Sequence, residues 1–193
     1  MVDLVLRARR AVTAIGERPA AVCVTDGVIA AIADFDAAVE AQQDITLEGV
    51  LLPGVVDTHV HINEPGRTDW EGFETATRAA AAGGVTTVID MPLNSIPPTC
   101  DVAALDIKRA AATGKTYVDV GFWGGSIPGN ATELAPLWQE GVYGFKCFLL
   151  HSGVDEFPAS SLNDLAAALE HIAQFDGLMI VHAEDSDAIE RAP

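Results

Sequence analysis

Basic side chains are scarce in this sequence of 193 residues. Only 11 lysines and arginines stand against 28 aspartates and glutamates, which gives a formal net charge of −17. A surface of that sign repels the phosphates of nucleic acids and anionic lipids. We therefore expect neither a nucleic acid nor a membrane as a partner.

Cysteines and targeting signals are also few. The three cysteines, Cys23, Cys100 and Cys147, are far apart and form no CxxC pair, which argues against a disulfide framework and fits a reducing compartment. The first residues lack a basic segment followed by an apolar one, so no secretion signal is predicted. No apolar run approaches the roughly 20 residues that span a bilayer. These absences predict a soluble, cytoplasmic protein.

Short strands dominate the first 50 residues. Residues 3–7, 20–25 and 28–32 are rich in apolar and β-branched side chains, and Asp26-Gly27 separates the last two. An Asp-Gly pair between such runs is a strong hairpin signal. Residues 1–50 are thus predicted to form a small β subdomain.

From residue 51 onward, apolar runs alternate with helical patterns. The runs at 51–58, 85–91, 117–123, 142–149 and 178–181 predict buried strands. Helices are predicted at 69–82, at 101–113, from about 132 and from about 161. Thr68 and Glu71 have the spacing of a capping box, and the fourth helix would place Leu162, Leu165, Leu169 and Ile172 on one face. Repeated strand–helix units predict an α/β fold with parallel strands.

Five such units fit either an open doubly wound sheet or part of a (β/α)8 TIM-type barrel. The histidines and the lysine discussed next follow the first, fourth and fifth strands. In a flat sheet in sequence order the first and fifth strands would lie about 19 Å apart, at ~4.8 Å per strand. A barrel brings all strand ends to one mouth, so the barrel is favoured. Because a whole barrel takes about 250 residues, residues 51–193 would be its N-terminal part.

His59 and His61 form the sharpest local pattern. Alternate residues of a strand share a face, so both imidazoles can bind one divalent cation. An isolated His-x-His pair occurs by chance about as often as it marks a metal site. The turn Pro65-Gly66 places this pair at the carboxyl end of a strand, where parallel α/β proteins carry their active sites.

Lys146 and His182 occupy two other strands. Lys146 lies within the apolar run 144–149, and it is either a lysine that reaches to water or a buried amine with a lowered pKa. A neutral amine can add carbon dioxide and become an anionic oxygen ligand, which is the interpretation we favour beside a histidine pair. His182 closes its strand and is either a core histidine or a third ligand.

These residues resemble the binuclear metal-dependent amidohydrolases. The resemblance rests on Val55-Val56-Asp57-Thr58-His59-Val60-His61, Lys146 and His182. Three further stretches resemble the allantoinases among them: Ile62-Asn63-Glu64-Pro65-Gly66-Arg67, residues 90–99 and residues 148–158. The resemblance covers the whole chain.

The resemblance implies two divalent metal ions, with zinc expected. His59 and His61 would bind one ion, and His182 would bind the other. Lys146, carboxylated by carbon dioxide, would bind both ions. A further histidine and the general-base aspartate would lie beyond Pro193, so a polypeptide of these residues alone is expected to be inactive and poorly soluble. The implied reaction opens the cyclic amide of allantoin, a small-molecule substrate, to give allantoate in purine catabolism. A homotetramer is implied for the full-length protein.

Two departures separate the sequence from dihydroorotases. Asn63 stands where those enzymes carry an arginine for the substrate carboxylate, and Leu93 intervenes before Asn94. Asn63, Asn94, Ser152 and Gly153 are the predicted substrate-binding residues. The alternatives are another cyclic amidohydrolase, such as a hydantoinase or dihydroorotase, and a non-catalytic relative that serves in assembly.

Overall fold

The first 54 residues fold into a four-stranded sheet. The computed structural model describes residues 1–192, which divide into a unit of Met1–Gly54 and a second unit that begins at Val55. The strands of the first unit have the order β3-β2-β1-β4. Their bounds are β1 Val2–Thr13, β2 Gly16–Thr25, β3 Val28–Ala33 and β4 Ala41–Leu51.

The Asp26-Gly27 hairpin is confirmed. Asp26 and Gly27 have φ values of 50° and 75°, as this type of turn requires, and the strands that they connect are antiparallel. The strand β4 was not predicted, because only its pairing with β1 shows that residues 41–51 are extended. The predicted strand 51–58 is wrong in its first half: Leu51 ends β4, Pro53 and Gly54 interrupt the chain, and the next strand starts at Val55.

Parallel strands form the centre of the second unit. The sheet order is β5-β6-β7 for one group and β8-β9-β10 for the other, and every pair is parallel. Trp123 joins β7 to β8, and its amide donates to the carbonyl of Asp90 at 2.9 Å, so residues 119–125 run as one strand with a break. The bounds are β5 Val55–Val60, β6 Val85–Asp90, β7 Asp119–Phe122, β8 Gly124–Gly125, β9 Phe145–Phe148 and β10 Met179–His182. The predicted α/β class is confirmed.

Helices connect these strands. They are α1 Phe73–Ala82, α2 Val102–Ala112, α3 Leu134–Gln139, α4 Leu162–Ile172 and α5 Ser186–Arg191. Asp101 and Ser161 cap α2 and α4 by accepting from the amides of Ala104 and Asp164. No helix within residues 1–192 is long and apolar enough to cross a membrane.

The start of α1 differs from the prediction. The helix begins at Phe73, and the expected capping box of Thr68 and Glu71 is wrong. The carboxylate of Glu64, nine residues upstream, instead accepts the Phe73 amide at 2.9 Å. A tertiary contact therefore fixes this helix end, where a negative charge also complements the helix dipole.

The buried stripe of α4 is narrower than predicted. Ala168 and Ile172 are buried, whereas Leu162 is 73% exposed and Leu169 44% exposed. The helix meets its neighbours along the i, i+4 pair of Ala168 and Ile172, so the two leucines project from the flank of that stripe. The predicted apolar face is thus buried only in part.

All four connecting helices pack on one face of the strands. Val60, Val88 and Val120 contact α1 and α2 in one cluster, and Phe145 and Met179 contact α3 and α4 in another. Because successive strand residues alternate between faces, the residues between these lie on the other side, which we call the inner face. Its apolar cluster includes Ile89, Trp123, Phe148 and Ile180.

Candidate active site

His59 of β5 and His61, just after the end of β5, share the inner face. Val60 and Ile62 pack against the helices, so His59 and His61 point the other way. Their ring centroids lie 5.5 Å apart at an interplanar angle of 48°. Two imidazoles in this arrangement can direct nitrogen atoms at a common point.

Lys146 and His182 lie on the same face of β9 and β10. The register pairs Lys146 with Ile180 and Phe148 with His182. The Lys146 Nζ atom lies 4.8 Å from the centroid of the Phe148 ring, which stacks on His182 at 5.1 Å and 12°. The three side chains are therefore in continuous contact.

Burial changes the protonation of two of these groups. Lys146 is 6% exposed, and desolvation lowers the pKa of its amine, with Cys147 acting in the opposite direction. Desolvation also lowers the pKa of His61; Asp90 opposes this, and the positive charges of His59, Lys108 and Lys146 add to it. Both shifts favour the neutral form, which is the form that binds a metal ion or reacts with carbon dioxide.

The residues present fit part of a metal site. Within residues 1–192, no three His, Cys, Asp or Glu side chains converge closely enough to hold a metal ion. The donors on the inner face are instead the histidine pair, the buried amine of Lys146 and, beyond Phe148, His182. Imidazoles together with an anionic oxygen are a donor set that zinc accepts.

Asn94 and Asn63 follow the ends of their strands in left-handed backbone conformations, with φ values of 71° and 64°. The Asn94 Nδ2 atom lies 3.3 Å from Nδ1 of His61. Asn63 is 8% exposed, and within residues 1–192 its Oδ1 atom has no hydrogen-bond partner. A buried acceptor without a partner is costly, and a bound ligand with an N–H group would satisfy it.

Ser152 and Gly153 lie in the loop after β9. The Ser152 hydroxyl is within reach of the carbonyls of Val154, at 3.0 Å, and Phe157, at 2.6 Å. Gly153 has a φ of 97°, and its amide donates to Nδ1 of His151 at 3.1 Å. The loop thus uses these groups for its own structure, and their contact with a substrate stays a prediction.

Known proteins resemble this chain along its whole length. The sequence pattern of the amidohydrolase family matches residues 50–192. The chain belongs to the amidohydrolase family. The allantoinase of Streptomyces avermitilis is 57% identical over 100% of this chain and 44% of its own length. The mitochondrial allantoinase of Aquarana catesbeiana is 46% identical over 93% of this chain and 38% of its own length.

A solved structure agrees with this membership. The L-hydantoinase (dihydropyrimidinase) from Arthrobacter aurescens superposes with a TM-score of 0.90 at 34% identity, over 98% of this chain and 42% of that one. This amidohydrolase chain therefore spans about two fifths of the length of the relatives that it matches.

A buried ion pair behind the histidines of this amidohydrolase was not predicted. Lys108 of α2 donates to Oδ2 of Asp90 at 2.7 Å and to the carbonyl of Met91 at 2.9 Å. Oδ1 of Asp90 accepts the amide of Ile62, the residue after His61, at 2.8 Å. The pair therefore holds the end of β5 from the helix side. A lysine on the buried stripe of an alanine-rich helix was the signal available in the sequence.

Proposed function

We propose that this amidohydrolase segment supplies half of a binuclear metal site that hydrolyses the cyclic amide of allantoin to allantoate. One observation carries the proposal: two histidines and a buried lysine occupy the same face of parallel strands at their carboxyl ends. Identities of 57% and 46% to allantoinases support the choice of substrate.

The proposed metal ligands are His59 and His61 for one ion, His182 for the other, and Lys146 for both. The ions would be two divalent cations, zinc by the imidazole-rich donor set. When bound, they supply Lewis-acid activation of water and of the ring carbonyl.

Lys146 would serve as a carbamate. The neutral amine attacks the carbon of carbon dioxide, a C–N bond forms, one N–H proton leaves to solvent, and a carbamate anion remains. Burial supports this step because it lowers the pKa of the amine and so supplies the neutral form. The buried neutral amine would thereby become an anion whose charge bound cations can compensate.

Asn63 and Asn94 would orient the substrate. The unpaired Oδ1 atom of Asn63 can accept an N–H group of a ureide, of which allantoin has several. Asn94 lies beside Nδ1 of His61 and would help to hold the orientation of that ring. Trp123 and Phe148 would exclude water from the inner face.

The proposed scaffold is a (β/α)8 barrel. The described strands follow one another in parallel, and α1 to α4 all pack on one face. A doubly wound sheet carries helices on both faces, whereas a barrel encloses a helix-free interior. A homotetramer and a cytoplasmic location belong to the same proposal, and sedimentation and cell fractionation test them.

The test uses the longest natural polypeptide that carries residues 1–193. In a Lys146→Ala variant we expect zinc content and allantoin turnover both to collapse, and a ¹³C carbamate signal from labelled bicarbonate to disappear. Arg78→Ala, which removes an exposed basic side chain of α1, is the control. Two zinc ions per chain and normal turnover in Lys146→Ala would refute the proposal.

A further inference from the structure

Arg67 connects loops that follow three different strands. Its Nη1 atom donates to the carbonyl of Asn94 at 2.8 Å and to Oε1 of Glu156 at 2.5 Å. The guanidinium also lies over the ring of Trp70, 5.0 Å from its centroid. The Arg67 and Glu156 side chains are 19% and 26% exposed, so solvent screens this ion pair only partly.

Two of the three loops already pack closely without Arg67. The amide of Ile96 donates to the carbonyl of Pro65 at 2.8 Å. Gly66 has a φ of 97°, and a Cβ atom there would come within 2.6 Å of the Cβ atom of Ile96. The loops after β5 and β6 thus form one rigid edge, which carries Asn63 and Asn94.

The third loop, residues 149–160 after β9, meets this edge through Glu156. Phe157 anchors the loop in the apolar cluster of the inner face. Its tip carries Gly153, which has a φ of 97° and is held by bonds within the loop itself. The ion pair with Arg67 is therefore the charged connection between this loop and the edge with the two asparagines, beside the apolar cluster that Val154 and Phe157 share with Leu93.

We propose that Arg67 is a positioning residue whose contacts with Glu156 and the Asn94 carbonyl hold these three loops in one arrangement around the histidine pair. The proposal rests on the proposed function, because it assigns those loops to substrate recognition. Three of the expected metal ligands, His59, Lys146 and His182, lie on strands, and His61 directly follows the end of β5. Loss of Arg67 should accordingly weaken the binding of a neutral cyclic ureide and leave metal binding intact.

The experiment compares Arg67→Ala, Arg67→Lys, Glu156→Gln and the exchanged pair Arg67→Glu/Glu156→Arg in the longest natural polypeptide. Arg78→Ala removes an exposed arginine that pairs with Glu74 and lies over the ring of Tyr117, and it is the matched control. The readouts are hydrogen–deuterium exchange of residues 150–158, zinc content, and KM and kcat with allantoin.

We expect Arg67→Ala to raise KM about tenfold, as for the loss of one charge-assisted hydrogen bond, with kcat within about threefold of wild type. Exchange of residues 150–158 should accelerate, zinc content should stay constant, and Arg67→Lys and the exchanged pair should restore part of the protection. Unchanged exchange and KM in Arg67→Ala would overturn the proposal, and so would loss of zinc. If the wild type does not hydrolyse allantoin, the proposed function fails, and the exchange data alone still decide for or against Arg67.

Discussion

Left-handed backbone at Asn63 and Asn94 limits which substitutions isolate their side chains. Glycine adopts such a conformation without strain, whereas alanine costs about 1–2 kcal/mol there. Asn94→Gly should therefore keep the free energy of unfolding close to wild type and still raise KM, because the amide beside His61 is lost. Asn94→Ala should both lower the free energy of unfolding and raise KM. Urea titration and steady-state kinetics separate them, and an unchanged KM in Asn94→Gly would exclude a role for the amide.

The side chain at position 63 should also set substrate choice. Asn63 offers an unpaired amide oxygen to a neutral ureide, whereas the carboxylate of dihydroorotate would meet that acceptor oxygen with a second acceptor. We expect kcat/KM for allantoin to exceed that for dihydroorotate at least ~100-fold, since mismatched buried polar groups cost this much. Asn63→Arg should narrow the ratio. Equal activity on both substrates in the wild type would contradict the assignment.

Acid should weaken the contact between Arg67 and Glu156. The Arg67 guanidinium lowers the pKa of Glu156 below its usual 4.5, so the pair contributes stability that is fully present above pH 4.5. That contribution is lost as the pH falls through the lowered pKa. The difference in free energy of unfolding between wild type and Glu156→Gln should accordingly shrink on acidification from pH 7 to pH 3. A constant difference would show that the charge of Glu156 is unimportant.

At the scale of elements, the Asp90–Lys108 pair links α2 to the end of β5. Lys108→Met should cost about 3–5 kcal/mol, because it leaves a buried carboxylate unpaired. Asp90→Asn/Lys108→Met should cost less than half of this, since the asparagine still accepts the Ile62 amide and no charge remains. Urea unfolding of these two variants and of Asp90→Asn measures this. Additive costs would show that the ion pair is not the source of the effect.

Local patterns explain which elements the sequence revealed. The starts of α2 and α4 were predicted to within one residue, because their caps Asp101 and Ser161 act within three residues of the helix. The start of α1 was predicted incorrectly, because Glu64 caps this helix from a distant loop. The pairing of β4 with β1 and of Asp90 with Lys108 is likewise tertiary, and no local period encodes it.

The residues of the candidate site also divide into those that local patterns indicate and those that depend on tertiary contacts. His59, His61 and Lys146 stood out because polar residues inside apolar strands are costly without a function. That they share one face followed from strand alternation, and the helix packing agrees with it. The role of Arg67 did not follow, because its partner Glu156 is 89 residues away in the sequence.

For the whole molecule, a polypeptide of residues 1–193 alone should be poorly soluble and inactive. Among the described strands, β5 pairs only with β6 and β10 only with β9, and Val55, Val56 and Leu178 are about half exposed along these edges. Open apolar edges invite aggregation. The described residues also lack a third histidine or carboxylate beside His59 and His61, so one weakly held zinc ion is the most we expect.

A chimera provides the comparison for this prediction. Residues 1–193 would replace the matching segment of the Streptomyces avermitilis allantoinase, to which they are 57% identical. The chimera should sediment as a defined species, bind two zinc ions and hydrolyse allantoin, because the relative supplies the remaining strands. Without them, the loss of an essential catalytic group should cost ~10⁴-fold or more in turnover. A monodisperse 193-residue chain that turns over allantoin as fast as the chimera would show that its catalytic groups all lie within these residues.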